Sequence, residues 1–548
     1  MKKTAFFVKM MTALLLSGGL SSSCSDREGR LPSEQQLFIG DSIAIARTEY
    51  GRVQGFLVND IYTFRGIPYG ASTAGENRFM PPQPPDPWEG IRPAVFWGND
   101  APQDGPDFTR AAPFHAWQDC WRYYGIDEDC LNLNVWTPGL ADGKRRPVLV
   151  WFHGGSWVTG NSVECDSYQG ENLSRYGDIV FVSVNHRVGP FGLVDFSEAD
   201  PRFSESGMVS ELDMVAALQW VHDNIAHFGG DPRCVTVMGQ SGGGSKVCTL
   251  LAMPEIGGLV HRGVALSGSN SWGGSPEPAR SFGAYLVEKT GKTVPELQQM
   301  PWQEFNKVAY ELLDAFNAER RAQGKPSAGF HPSADGHHLP EGRFYQDKSL
   351  PGNDIPLLLC SCTSETSPAK TNARMEEIGW DEAVEEVAKR YGPVRADALV
   401  DGYRKAFPDR KPIDIVGLIG WGTRRNTIAA ADAKTFQDAP VYVALFDWHS
   451  PLFDGRARAF HTSDICFWFR NTDLMLTHTG GGRRPRELSR KMADALLAFM
   501  RSGDPNCRRM PSWPEYDTEH GWTMVLDDRP CVMEDIDREA RKAYLLGE

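Results

Sequence analysis

The chain has 548 residues, a formal net charge of −14 at pH 7, 41% hydrophobic residues and 23% charged residues. This composition is typical of a globular protein, and the length suffices for one large core or for two to three modest domains. The acidic balance excludes the basic surface on which nucleic-acid-binding proteins depend, so we expect no nucleic acid among the partners.

The N-terminus has the pattern of an export signal. Lys2 and Lys3 precede a short apolar stretch over residues 5–16, and small residues then lead to Cys24. The apolar stretch is too short to span a bilayer comfortably, which favours a cleaved signal peptide over a membrane anchor. We therefore predict a signal peptide over residues 1–23.

Cys24 follows this signal as the lipidated cysteine of a bacterial lipoprotein does, although Ser21 stands where an aliphatic residue is usual. Lipid anchoring through Cys24 and plain cleavage nearby both stay open. We expect a polar tether over residues 24–40 and a single domain over 41–548. The expected location is the periplasm or outer membrane of a bacterium, or otherwise the medium.

Short apolar, β-branched runs alternate with longer helical patterns. Runs that are apolar on both faces predict buried strands, and 3.6-residue periodicity predicts helices over 210–230 and around 488–500, the latter ending at Gly503. Strands alternating with helices favour an α/β fold with a large, mostly parallel central sheet. The predicted strands cover 147–152, 178–184, 234–239, 262–268, 354–360 and 440–446.

Residues 239–243 (GQSGG) match the G-x-S-x-G pattern of a nucleophile elbow. A buried strand precedes the pattern and a plausible helix follows it. The sharp turn requires small neighbours, and the helix N-terminus brings backbone N–H groups and partial positive charge to Ser241. The alternative is a glycine-rich turn that carries a solvent-facing serine.

The segment HGGSW (153–157), called the HGGSW loop below, follows the predicted strand 147–152 directly. Esterases of the α/β-hydrolase type use such a loop to aim backbone N–H groups at the developing oxyanion. A flexible turn explains these glycines equally well when they are taken alone. Their occurrence after a strand and upstream of the elbow favours the catalytic interpretation.

The sequence resembles the type-B carboxylesterases, which include the cholinesterases, from about Thr48 to Leu526. The resemblance implies an α/β-hydrolase fold with a mixed central sheet, a deep gorge and a Ser-Glu-His triad. It rests on YGRVQG (50–55), FRGIPYG (64–70), NRFMPPQPP (77–85), EDCLNLNVW (128–136), HGGSW, VNHRVGPFG (184–192), FGGDP (228–232), GQSGGG (239–244), SGS (267–269), SGDPN (502–506) and WPEY (513–516).

The resemblance selects the two partners of Ser241. The acid of the family follows a strand similar to IPLLLCSCTSETS, which places it at Glu365, and the base lies in a loop similar to AFHTSDICFWF, which places it at His461. The order Ser241, Glu365, His461 is that of the fold. Glu365 could instead be a surface acid, because its loop lacks the Asp-Glu-Gly common in the family.

The resemblance also implies oxyanion donors at the backbone N–H groups of Gly155, Ser156 and Gly242. Ser156 stands where the family usually has a third glycine, and a positive φ there would strain it. Gly242 replaces a usual alanine. Neutral Gln240 replaces the usual glutamate before the nucleophile, which argues against a site tuned for cationic choline esters.

Several structural features also follow from the resemblance. A disulfide is expected at Cys130; because no partner stands near residues 101–105, Cys120 is the partner that we predict. Arg78 and Glu128 are expected to form a buried ion pair.

Four aromatic residues lie near the catalytic segments. Trp157 and Phe460 are the predicted lining of the substrate pocket, with Trp157 favoured because it adjoins the oxyanion donors; burial in the core is the alternative for both and for Trp448 and Phe467. Cys360 and Cys362 are expected as free buried thiols.

The leading functional hypothesis is a carboxylic ester hydrolase that acts on uncharged or aryl esters through an acyl-enzyme, without metal or cofactor. A closely related alternative is an esterase for feruloyl or acetyl groups of plant cell walls. An alternative of another class is a non-catalytic adhesion or binding module, since some members of the family have lost the triad. The expected partner is a small ester, and the oligomeric state is not predicted.

Overall fold

A mixed sheet of twelve strands organises the fold in the computed structural model, which describes residues 35–104 and 124–546. The described residues from Leu37 onward form one compact unit. The strands are β1 (Leu37–Phe38), β2 (Ile45–Thr48), β3 (Gly51–Gln54), β4 (Phe56–Val58), β5 (Ile61–Pro68), β6 (Ile91–Pro93), β7 (Asn132–Thr137), β8 (Arg146–Phe152), β9 (Val180–Val184), β10 (Gly230–Gln240), β11 (Arg262–Leu266), β12 (Trp272–Gly273), β13 (Gly342–Arg343), β14 (Leu357–Cys362), β15 (Val441–Phe446), β16 (Thr523–Leu526) and β17 (Cys531–Met533).

The helices connect these strands and cover the sheet. They are α1 (Glu171–Gly177), α2 (Pro190–Leu193), α3 (Val209–Asn224), α4 (Gly242–Leu250), α5 (Glu277–Thr290), α6 (Val294–Gln298), α7 (Trp302–Ala322), α8 (Trp380–Tyr391), α9 (Pro393–Ala406), α10 (Pro412–Ile419), α11 (Thr423–Lys434), α12 (Ile465–Trp468), α13 (Leu476–Thr479), α14 (Arg483–Ser502) and α15 (Arg538–Tyr544).

The twelve-stranded sheet has the order β1-β4-β5-β7-β9-β8-β10-β11-β14-β15-β16-β17, whereas β2, β3 and β6 form a separate three-stranded sheet and β12 and β13 a two-stranded one. Strands β9 to β16 in that order run parallel to one another, and antiparallel strands flank them at both ends. The fold is therefore the α/β-hydrolase type with a mixed sheet, as predicted. In this arrangement the segments that follow β10, β14 and β15 leave from the same edge of the sheet.

Alternate side chains of each central strand enter two different cores. Val148 and Val150 of β8 belong to a core with α3, α4 and α11 on one face, whereas Leu149 and Trp151 belong to a core with α1 and α14 on the other. Burial on both faces explains why the central strands are continuously apolar in sequence. All six predicted strands are confirmed, with ends that differ by a few residues.

The two predicted helices are also confirmed, with one refinement. The α-helical part of 210–230 ends at Asn224, and a 3₁₀ turn continues to Phe228 before Gly229 adopts φ 76°. Helix α14 ends where Gly503 adopts φ 81°. Both stops use the left-handed conformation that glycine adopts without a Cβ clash.

Two ionic contacts join segments that are distant in sequence. The predicted Arg78–Glu128 pair is confirmed: Arg78 Nε and Nη2 donate to the two Glu128 oxygens at 2.6 and 2.5 Å, and both residues are buried. His338 bridges two carboxylates, with Nδ1 2.5 Å from Glu255 Oε1 and Nε2 3.0 Å from Glu205 Oε1.

The cysteine predictions have separate outcomes. Cys360 and Cys362 are buried free thiols, as predicted. Cys130 is also a buried free thiol in the structure. Its predicted partner Cys120 lies outside the described residues, as does Cys24, so the disulfide and the lipidation stay predictions. Within residues 35–104 and 124–546, no helix is long and apolar enough to cross a membrane.

Candidate active site

Ser241 lies at the sharp turn between β10 and α4. It adopts φ 58° and ψ −126°, a conformation that non-glycine residues rarely occupy, and its N–H donates to Leu266 O at 2.8 Å. The turn is crowded, because a Cβ on Gly239 would lie 2.3 Å from Gly243 O. The strain and the crowding explain the small residues of the G-x-S-x-G pattern.

His461 and Glu365 are in direct contact. His461 Nδ1 donates to Glu365 Oε2 at 2.5 Å, and the other carboxylate oxygen accepts the N–H of Cys362 at 2.8 Å. The Glu365 side chain is 2% exposed, whereas that of His461 is 22% exposed. The bond to Nδ1 fixes the imidazole orientation and leaves Nε2 as the nitrogen available to another group.

Gln240 contacts the same imidazole. Its amide Nε2 lies 3.3 Å from His461 Nε2, and no hydrogen bond joins Ser241 Oγ to His461 among the described residues. Trp421 also lies near the imidazole, with its ring centroid 6.2 Å from that of His461 in an edge-to-face arrangement. Trp421 is 58% exposed, so it presents a large aromatic surface beside the histidine.

The HGGSW loop lies against the elbow. Gly155, Ser156 and Trp157 all have positive φ values of 78°, 51° and 62°, and Gly155 O accepts from the N–H groups of Val158 and Thr159. An ideal Cβ on Gly242 would lie only 2.5 Å from Ser156 N. The three predicted oxyanion donors therefore belong to two adjoining segments beside Ser241, and Ser156 does carry the predicted strain.

A second acid lies close to Glu365. Asp464 is fully buried, and burial first, then the negative charge of Glu365, raises the pKa of Asp464 to about 7. Its Oδ2 accepts from Trp468 Nε1 at 3.3 Å. At neutral pH a protonated fraction of Asp464 limits the negative charge that surrounds His461.

The two predicted pocket residues are mostly enclosed by protein. Trp157 packs in an apolar cluster with Phe79 and Phe191, and its Nε1 donates to Glu211 Oε1 at 2.6 Å. Phe460 is buried beside Ala457. Their role as a substrate lining stays a prediction, and Trp448 and Phe467 lie in the core under the sheet.

Three residues near the site were missed by the sequence analysis: Trp421, Lys246 and Glu211. A tryptophan between two glycines, as in Gly420-Trp421-Gly422, indicates a loop that exposes the side chain to solvent. A charged residue inside an otherwise apolar helix, such as Lys246 in KVCTLLAM, signals a buried charge. Within the described residues, no group of three His, Cys, Asp or Glu side chains is arranged to hold a metal ion.

A strained serine at a strand–helix turn, a histidine bonded to a carboxylate and a loop of left-handed residues define the hydrolase class of this fold. The model of the family described as "Carboxylesterase family" matches residues 42–545. The chain belongs to this family, and the protein is a carboxylesterase, an enzyme that hydrolyses carboxylic esters.

Characterised relatives cover nearly the whole chain. Para-nitrobenzyl esterase from Bacillus subtilis is 30% identical over 91% of this chain and 98% of its own length. Phenmedipham hydrolase from Pseudarthrobacter oxydans is 30% identical over 88% of this chain and 95% of its own. The solved structure of an esterase from Clostridium hathewayi, 30% identical, superposes with a TM-score of 0.77 over 93% of this chain and 99% of that one.

Proposed function

We propose that this carboxylesterase hydrolyses uncharged or aryl carboxylic esters through Ser241, His461 and Glu365. The observation that carries the proposal is the 2.5 Å hydrogen bond from His461 Nδ1 to Glu365 Oε2, beside a serine held at a nucleophile elbow. This bond leaves His461 Nε2 to take the serine proton. The contact between serine and histidine need not be formed in the free enzyme, because catalytic hydrogen bonds often tighten only with substrate bound.

The proposed reaction has two half-reactions, acylation and deacylation, and each contains two proton transfers. His461 takes the Ser241 hydroxyl proton as the oxygen attacks the ester carbonyl, and returns it to the leaving alcohol as the tetrahedral intermediate collapses to the acyl-enzyme. Water repeats these steps and releases the carboxylic acid. Glu365 holds the imidazole and stabilises the imidazolium that forms at each attack.

Backbone N–H groups of Gly155, Ser156 and Gly242 are the proposed oxyanion donors. Support comes from the left-handed conformations of Gly155 and Ser156 and from the close approach of Ser156 N to Gly242. Donors fixed before the reaction stabilise the developing charge without reorganisation, and one such donor contributes roughly 10²–10³-fold to kcat.

The preference for uncharged or aryl esters rests on two side chains. Neutral Gln240 stands beside His461, where an acid would attract cationic alcohols. Trp421 presents an exposed ring next to His461, and flat aromatic groups stack on such rings. Two relatives fit this class by name: a para-nitrobenzyl esterase, and an esterase reported to hydrolyse aliphatic aromatic polyesters.

Purified protein tests the proposal directly. It is expected to turn over 4-nitrophenyl acetate and benzoate and to be labelled at Ser241 by an organophosphonate, with both properties lost in S241A. E365Q should lower kcat by roughly 10³–10⁴-fold, as when the acid of a triad no longer fixes the tautomer. Folded wild-type protein with neither turnover nor labelling would contradict the proposal. A parallel series with feruloyl and acetylated sugar esters examines the cell-wall alternative.

We also propose that the enzyme is exported and anchored by a lipid on Cys24. The support is the basic and apolar pattern of residues 2–16 followed by small residues and the cysteine. Expression with radiolabelled palmitate should label the wild type and not C24S. Equal labelling of the two proteins, or its absence from both, would contradict the lipid anchor.

A further inference from the structure

Lys246 is a fully buried lysine directly behind the HGGSW loop. It lies in the second turn of α4, and its Nζ donates to His153 O at 2.9 Å and to Gly154 O at 3.3 Å. These are the carbonyls of the first two loop residues. Burying an ammonium group is costly unless it is hydrogen-bonded, and these two carbonyls are the acceptors that hold the Lys246 side chain in place.

The other end of the loop is also held by a buried ionisable side chain. Glu211 on α3 is fully buried, and its Oε1 accepts the Trp157 Nε1–H at 2.6 Å. Burial lowers the pKa of Lys246 to about 7 against the opposing effects of Glu211 and Glu164. Burial likewise raises the pKa of Glu211 to about 8.

The remaining titratable groups beside the lysine are histidines. His153 and His186 stack with ring centroids 4.7 Å apart, and burial first, then the charge of Lys246, holds the pKa of both well below the ordinary range. Both imidazoles are therefore neutral at working pH.

The loop needs such anchors because its conformation is intrinsically unfavourable. Ser156 and Trp157 are consecutive non-glycine residues in the left-handed region, each at a cost of about 1–2 kcal/mol. Residues held in this region persist only where the surroundings determine them.

The geometry of a trans peptide connects Lys246 with the proposed oxyanion donors. The carbonyl of Gly154 and the N–H of Gly155 belong to one planar unit and point in opposite directions. A donor that binds Gly154 O therefore turns the Gly155 N–H to the opposite side of that peptide unit. Gly154 itself borders the nucleophile, since a Cβ on Gly154 would lie 3.4 Å from Ser241 Cβ.

We propose that Lys246 is a positioning residue of the oxyanion hole, which holds the carbonyls of the HGGSW loop so that its N–H groups face the reacting ester. This inference rests on the proposed function of Ser241. Lys246 acts through the loop and does not contact substrate.

Lys434 provides a matched control. It is also fully buried, its Nζ donates to Gly352 O and to Gln437 Oε1, both at 2.6 Å, and burial lowers its pKa to about 7. Gly352 precedes β14, at the opposite edge of the sheet from the segments that carry the proposed triad. K246M and K434M thus remove the same kind of buried anchor from the two edges.

The test measures kcat, KM and Tm on 4-nitrophenyl butyrate, together with the inhibition constant of a trifluoromethyl ketone, which binds as an oxyanion. Both variants should lose Tm to a similar degree. K246M alone should lose about ten- to a hundredfold in kcat, with KM nearly unchanged. A displacement of about 1 Å around a reacting centre can cost about 10²-fold in rate. The inhibition constant of the ketone should rise by the same factor by which kcat/KM falls.

A kcat for K246M within threefold of wild type, a change confined to KM, or an equal loss of kcat in K434M would overturn the inference. If K246M does not fold, the same kinetic criteria apply to K246Q, which keeps a hydrogen-bond donor on a shorter side chain. An inactive wild type would overturn the proposed function and this inference together, whereas an active wild type with an unaffected K246M overturns this inference alone.

Discussion

The contact between Gly242 and Ser156 gives a sharp test of the oxyanion geometry. A Cβ on Gly242 would lie 2.5 Å from Ser156 N and 2.8 Å from Ser156 Cα, where ordinary contacts begin at 3.4 Å. Because both neighbours are backbone atoms, G242A must separate the two segments by about 0.9 Å, at about 1–3 kcal/mol of overpacking. A shift of this size at the donors is expected to lower kcat by about tenfold to a hundredfold.

Steady-state kinetics on 4-nitrophenyl acetate, with Tm measured alongside, checks this expectation. The control is G274A, because a Cβ on Gly274 meets nothing within 4 Å and its φ lies outside the left-handed region. G274A should match wild type in kcat and Tm. If G242A retains wild-type kcat while its Tm falls, the overpacking is real but the oxyanion donors are not where Ser156 and Gly242 place them.

Three further outcomes are expected. W421A should lower kcat/KM for 4-nitrophenyl benzoate about three- to tenfold relative to kcat/KM for 4-nitrophenyl acetate, because one aromatic contact is lost. The control is W272A, at a tryptophan that is also 58% exposed, which should leave the ratio of the two kcat/KM values unchanged. E128A should lower the free energy of unfolding in urea by about 3–5 kcal/mol, since the buried Arg78 then loses its charged partner and keeps only the carbonyls of Leu297 and Met300 as acceptors. A change below about 1 kcal/mol would show that the pair is not dry. Burial alone would lower the pKa of His338, but hydrogen bonds to its two glutamates raise this pKa overall. The protonated His338 therefore stabilises the fold fully below pH 6.5, and this stabilisation is lost as the pH rises through the folded pKa. The Tm difference between wild type and H338Q should shrink as the pH rises from 6.5 through the folded pKa.

The central sheet could be predicted from the sequence because burial on both faces leaves a continuous apolar run. Strands such as β8 and β15 have this signature, and their parallel order follows from the helices between them. The strands β1 and β4, at one end of the sheet, were not predicted. They have two or three residues and mixed burial, so neither length nor alternation distinguishes them from loops.

The residues of the candidate site divide in the same way. Ser241 carries a local signal, because the sharp turn imposes small neighbours on it. Glu365 and His461 are separated by about a hundred residues and were found only through the family resemblance; their contact depends on the alignment of β14 and β15. Lys246 was missed although it is the one charged residue of α4, because a lysine on a helix is ordinarily solvated and its burial depends on packing against the HGGSW loop.

The departures from the family pattern lie in one contact zone and have to be considered together. Ser156 replaces a glycine at φ 51°, which costs about 1–2 kcal/mol, and it does so opposite a position where the usual alanine has become Gly242. The missing methyl group at 242 is what allows Ser156 N to approach the elbow so closely. Lys246 and Glu211 hold the loop from behind, at the two ends of the same strained segment. The HGGSW loop thus keeps its left-handed conformation with one glycine fewer, because Gly242 leaves space on the side of the elbow and Lys246 and Glu211 hydrogen-bond to the loop on the other side.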